Sequence, residues 1–195
     1  MKSFRIYIAL IACAGFFQAC GEAEPMDQYN SLVKTELASG KRVDSIFFGT
    51  YFGMTNKDFY AYCWEMNKKG VFWDGTNNSF VLYKLDSGLK APAAMNFYPD
   101  FDNDRIYKMR VNYAYNSWAP WNKPLSADSL MRDVLSLYKH WYPDGNEFLQ
   151  IDDKDRGTIF VKVDGNRRIT IGKFDEMMVK VDFTDLNVEK KRMNK

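Results

Sequence analysis

Arg105-Ile106-Tyr107-Lys108-Met109-Arg110-Val111-Asn112-Tyr113-Ala114-Tyr115 is the stretch that decides the fold class. Tyr107, Met109, Val111, Tyr113 and Tyr115 alternate with Lys108, Arg110, Asn112 and Ala114. A period of two sends one set to a buried face and the other to water. An antiparallel sheet covered on one side by helices satisfies both sets. The expectation is therefore an α+β fold with helices packed on an antiparallel sheet.

Working outward, further strands are expected at about 79–85, 95–98, 147–151, 158–163, 168–174 and 177–184. Met177, Val179, Val181 and Phe183 repeat the alternation, and Asp164-Gly165-Asn166 is a hairpin-turn signal. A short strand is also expected at Ile46-Phe47-Phe48, ending at Gly49. Three helices are expected. The first runs from Asp27 to Ala38, with Tyr29, Leu32, Val33 and Leu37 at helical spacing. The second opens at Thr55 with Asp58 three residues on, and its stripe is Phe59, Tyr62, Cys63 and Met66. The third opens at Ser126, and Leu130, Val134, Leu137 and Trp141 form its apolar side. Each of the last two helices precedes a meander of strands, which suggests a duplicated helix-plus-β-meander unit.

The N-terminus carries a different message. Lys2 and Arg5 precede an uncharged apolar run, Ile6 to Phe17. A spanning helix needs roughly 20 residues, so a run of this length fits the core of an export signal instead. Ala19-Cys20 closes it, and Glu22 and Glu24 follow. The expectation is cleavage before Cys20 and lipid attachment there. Cys13, after Leu10-Ile11-Ala12, is the competing cysteine and the better local match to a lipobox, from which Phe17 and Gln18 depart; cutting before Cys13 would leave too short a signal and an apolar stretch in the mature tether. The expected organisation is a signal peptide at 1–19, a tether at 20–26, one α+β domain at 27–187 and a basic tail at 188–195. Removing Lys2 and Arg5 from 27 basic residues leaves 25, against 25 acidic ones. A charge-balanced chain has no electrostatic footprint for nucleic acid.

Catalytic sets are missing from the sequence. The single histidine, His140, lies at the edge of a helix stripe, and no Gly-x-Ser-x-Gly elbow or phosphate loop accompanies it. No metal site or cofactor is expected. Cys63 reads as a small buried hydrophobe. Asp100-Phe101-Asp102-Asn103-Asp104 starts like a calcium loop, but Arg105 stands where the loop needs Gly. A polar hairpin turn is the better reading. A carboxylate hydrolase would be built on Asp100, Asp102 or Asp153, if the fold paired two such carboxylates.

One segment invites a binding role: Tyr113-Ala114-Tyr115-Asn116-Ser117-Trp118-Ala119-Pro120-Trp121. Buried, Trp118 and Trp121 would pin the connection between the halves to the sheet, and that reading leads because Trp is usually buried. Exposed, they and Tyr113 and Tyr115 would form a ligand platform.

The chain resembles a group of Bacteroidota lipoproteins to which no activity is assigned. The likeness rests on Glu36-Leu37-Ala38-Ser39-Gly40-Lys41-Arg42, Phe52-Gly53-Met54-Thr55, Trp118-Ala119-Pro120-Trp121-Asn122-Lys123 and Lys162-Val163-Asp164-Gly165-Asn166-Arg167-Arg168. The helix-then-strands order is also similar to the β-lactamase-inhibitor-like fold and to the small outer-membrane-assembly lipoproteins. The resemblance implies a multiply acylated protein of the cell envelope, anchored to the outer membrane on its periplasmic side or at the cell surface. The expected function is non-enzymatic: binding a protein or an envelope component. The alternatives are a carbohydrate-binding module built on Trp118 and Trp121, or a hydrolase.

Overall fold

The structure is a computed structural model that describes residues 24–75, 80–155 and 157–194. Cys13, Cys20 and the expected signal lie outside the described residues. Eight strands form one antiparallel sheet: β1 (Trp73–Asp74), β2 (Val81–Leu85), β3 (Ala93–Asp102), β4 (Arg105–Tyr115), β5 (Leu149–Asp153), β6 (Gly157–Asp164), β7 (Arg167–Lys173) and β8 (Met178–Asp185). Their spatial order is β1-β2-β3-β4-β8-β7-β6-β5. Helices α1 (Pro25–Ala38), α2 (Asn56–Lys68), α3 (Ala127–Trp141) and α4 (Leu186–Met193) complete the described elements. The class is α+β, as the alternation in β4 implies. The connectivity is that of two units, α2 with β1–β4 and α3 with β5–β8. They join where the last strand of each meets the other, Val111 opposite Val181.

One face of the sheet carries the main core. Met109, Val111 and Tyr113 of β4 meet Val179, Val181 and Phe183 of β8 and Ile169 and Ile171 of β7. Helix α3 lies over this centre and buries Leu130, Val134, Leu137 and Tyr138. The opposite face holds a smaller core, where Tyr29, Leu32, Val33 and Leu37 of α1 cover Ile151, Ile159, Val161 and Val163. The rest of that face is polar, with Lys108 and Lys180 both paired to Asp182.

Four local expectations are corrected. The alternation in β4 breaks at Tyr107: Asp100 pairs with Lys108 but Phe101 pairs with Ile106, so Tyr107 is the extra residue of a bulge. Ile106 therefore enters the core, and Tyr107 turns out to stack under the Arg192 guanidinium. Ile46-Phe47-Phe48 is a turn and not a strand. Thr50 returns its amide and hydroxyl to the Phe47 carbonyl, and Phe48 and Gly49 adopt φ of +48° and +80°. The apolar run is a plug: Phe47 meets Phe97 and Phe183 edge-on at 5.0 and 5.5 Å. The helix expected from Asp27 starts at Pro25, inside the stretch read as tether. Most of the stretch read as a basic tail is α4, where Asp185 accepts the Asn187 amide as the cap. Arg192 pairs with Asp102, and Glu189 with Arg168.

Candidate functional site

Helix α2 has two faces with different duties. Thr55 caps it, accepting the Asp58 amide at 3.1 Å. Phe59, Tyr62, Cys63 and Met66 turn toward the core, although only Phe59 is fully buried. Tyr60 and Trp64 fall one turn apart on another side, and they remain 49% and 63% exposed. Tyr60 meets Phe59 edge-on at 5.8 Å, whereas Trp64 stands off the buried stripe. They line a shallow cleft of about 240 Å³ with Asn67, Trp73, Asp74 and Phe80. The cleft sits at the β1–β2 edge of the sheet.

Each part of the cleft is held in place. The Tyr60 and Tyr98 hydroxyls share a hydrogen bond, and this bond together with burial pushes Tyr98 up to about 12. Asn67 donates to the Phe72 carbonyl at 3.0 Å, tying the end of α2 to the turn before β1. Lys68 lies over the Trp64 ring at 5.2 Å, and Lys84 over the Trp73 ring at 4.3 Å. Cys63 contributes to the floor, where burial pushes its thiol up to about 12. A thiol of that kind stays protonated and unreactive. The arrangement offers flat apolar rings, an exposed carboxylate and an amide. It suits recognition of a small ring with polar edges, and Asp74 is the one carboxylate among its lining residues.

A second polar feature lies at the β6–β7 hairpin. Lys162, Asp164, Asn166, Arg167 and Asp185 are all buried. Lys162 donates to the carbonyls of Asp144 (2.8 Å) and Asn146, and stands 3.5 Å from the Asp164 carboxylate. Arg167 donates to the Ser45 carbonyl at 2.9 Å and stacks on Tyr142. Asn166 accepts the Val43 amide at 2.7 Å. Glu36, near the end of α1, accepts the Gly165 amide at 2.6 Å, and that bond holds its carboxyl below the usual range. Gly145 has φ of +86°, and a Cβ there would collide with the Asp164 carboxylate. A cleft of about 410 Å³ opens above this cluster. Lys162, Asp164 and the terminal nitrogens of Arg167 are engaged with one another and with backbone carbonyls, so the cluster reads as a fastening that pins α1 and residues 41–46 to the sheet.

The residues singled out in the sequence are scattered. Tyr113 is wholly buried and shares a hydrogen bond with Tyr138 in the core. Tyr115 is 3% exposed and donates to Asp133. Neither can face a ligand. Trp118 packs on the core and donates its indole N–H to the Glu176 carbonyl at 3.1 Å. Trp121 stands out at 84% exposure. So one indole pins the linker, and the other does not. Cys63 lies against the core as a half-buried side chain, and His140 is exposed. Asn103 and Asp104 form the two-residue hairpin, both at positive φ. Asp100 and Asp102 pair with Arg110 and Arg192, whereas Asp153 lies on β5 with four strands between. Asp100 and Asp102 are neighbours, two residues apart on β3 and each paired with an arginine, and Asp153 is not brought to them. Among the described residues no group of three or more His, Cys, Asp or Glu is placed to hold a metal, and no helix is long and apolar enough to cross a membrane.

The sequence reading missed Tyr60, Trp64 and Trp73. The usable signal was there: two aromatic residues at i and i+4 on α2 that fall outside its apolar stripe. Compared with known proteins, the chain matches no family model, no curated protein and no solved structure.

Proposed function

We propose that the chain is an exported lipoprotein, anchored through Cys20 to the outer membrane, that acts as a non-enzymatic binding domain for a glycan of the cell envelope. The export signal and the cysteine after Ala19 support the address. The observation that carries the binding role is the pair of exposed rings, Tyr60 and Trp64, beside Trp73 in one cleft. Aromatic faces accept the apolar side of a sugar ring, while Asp74 and Asn67 are placed for its hydroxyls. The cleft is smaller than the ~300 Å³ at which enclosing small-molecule pockets begin. Contact by stacking at a surface fits that size better than engulfment.

Glycan-array binding of the full chain tests the reading. Binding that Trp64→Ala and Trp73→Ala abolish supports it. Binding that survives both overturns this site, and loss only in Trp121→Ala would move it to the linker. An array that retains nothing would leave a protein as the partner.

A further inference from the structure

The end of the sheet opposite the β6–β7 hairpin carries two bare rings on two connections that are fastened to each other. Register places the connections there: Leu85 pairs with Ala93, Ala93 with Tyr115, and Ala114 with Met178. Residues 116–126 and 174–177 therefore emerge together. Trp118 and Ala127 both donate to the Glu176 carbonyl at 3.1 Å, and Lys173 pairs with Asp128 at 2.9 Å. On this joined platform Trp121 is 84% exposed and Phe174 is 65% exposed. Nothing in the fold needs either ring in water.

The path of α1 says what lies opposite them. Glu36, near its C-terminal end, touches Gly165 at the far end of the sheet. Met26, at its N-terminal end, lines a cleft with Ile159, Thr170 and Asp182. Those three residues also line the cleft that contains Phe174. Lys108, Arg168 and Thr184 line the same cleft from the other side, so the start of the helix lies over the middle of the sheet, at about the level of Thr170. From Thr170 to Phe174 is four strand residues, about 13 Å. The five residues Cys20 to Glu24 span at most ~17 Å. A lipid on Cys20 can reach the level of the two rings, but cannot hold the domain far from a bilayer.

We infer that this end of the molecule rests on the membrane, with Trp121 and Phe174 entering the interface of a zwitterionic phospholipid bilayer. The inference rests on the lipid anchor proposed above. Charges on the platform are mixed, since Lys123 and Lys173 stand among Asp128, Asp175 and Glu176. The contact is therefore apolar and interfacial and does not depend on anionic lipid. Trp suits it because the ring is apolar and its N–H finds water or headgroups. The α2 cleft, near the start of β2, then points away from the bilayer toward its ligand.

The test uses the full chain, made in an exporting host with labelled palmitate and reconstituted into phosphatidylcholine vesicles containing bromolipid. The expected result is label on Cys20 and bromine quenching of tryptophan emission. Trp121→Phe should remove most of that quenching, Phe174→Ser should weaken it, and raised salt should change nothing. Label on Cys20 with quenching that Trp121→Phe leaves intact overturns the orientation alone. Label that Cys20→Ala does not remove, or no label, overturns the anchor and the orientation with it.

Discussion

The two helix-plus-meander halves share a chain path and differ in what they hide. In the second half α3 crosses the centre of the sheet, and six of its residues are buried. That half also buries ions, Lys162, Asp164 and Arg167, under the segment that arrives from α1. In the first half α2 sits toward the sheet edge, buries only Phe59 completely, and keeps Tyr60 and Trp64 in water. A helix over the middle of a sheet has no side to spare. A helix at the edge does, and there a recognition surface can form without disturbing the core. The difference teaches where to look on a sheet built of two meanders: the half under the central helix buries more of its helix, and the half at the edge leaves aromatic rings in water.

The sharpest way to break that contrast is to unbalance the buried ions. Asp164→Leu leaves Lys162 and Arg167 buried without their carboxylate. Breaking a buried pair by removing one partner costs about 3–5 kcal/mol. We expect a loss of that size in urea unfolding, with α1 released from the sheet. Leu130→Ala tests the same half through its core. Leu130 is fully buried, and truncation should cost about 2–5 kcal/mol through the cavity it leaves. Losses below 1 kcal/mol in both variants would mean the second half is not the stabilising one.

Much of this contrast was legible in the residues, and its limits have physical causes. The strand at 105–115 and the stripes of α1, α2 and α3 were readable because burial on one side imposes a period on the chain. Tyr107 was misplaced because a bulge shifts the period without changing the composition. Ile46-Phe47-Phe48 read as a strand because a local apolar run does not reveal whether it will pair or plug. Helix α4 was hidden because it buries only Leu186 and is otherwise charged. The ion cluster looked like an ordinary polar turn. Lys162, Asp164 and Arg167 alone do not announce that Ser45, Tyr142 and Asn146 will close over them. The α2 cleft joins a helix to a strand of two residues, and no pattern predicts so short an element.

A milder perturbation sharpens the same comparison through pH. Glu36 fastens α1 to the second half, accepting from the Gly165 amide and from Asn146. Its carboxyl is held below the ordinary value, chiefly by the Gly165 bond. A carboxyl depressed in the folded state stabilises above its unfolded pKa, and that contribution disappears as pH falls through the folded value. Stability should therefore drop below about pH 4.3, the ordinary glutamate value. Glu36→Gln should flatten part of that drop. At neutral pH it should cost about 1 kcal/mol, the scale of a partly solvated hydrogen bond. An acid limb identical in Glu36→Gln and the parent chain would show that this carboxylate does not fasten α1.

The smallest expected effect is the most informative about the first half. Trp64→Ala removes a large ring, yet the ring is mostly in water and lies off the buried stripe of α2. Alanine is also the better helix former, by a few tenths of a kcal/mol. The lost contact with Lys68 is an exposed cation–π pair, worth about 0.5–1 kcal/mol. These terms oppose each other, so unfolding should move by no more than about 0.5 kcal/mol, as for surface substitutions in general. Glycan binding should nevertheless be lost. If Trp64→Ala destabilises the chain by more than 2 kcal/mol, the ring is part of the scaffold and the first half is built like the second. A neutral stability change with lost binding separates the two halves by function, because a residue dispensable for folding is then indispensable for recognition.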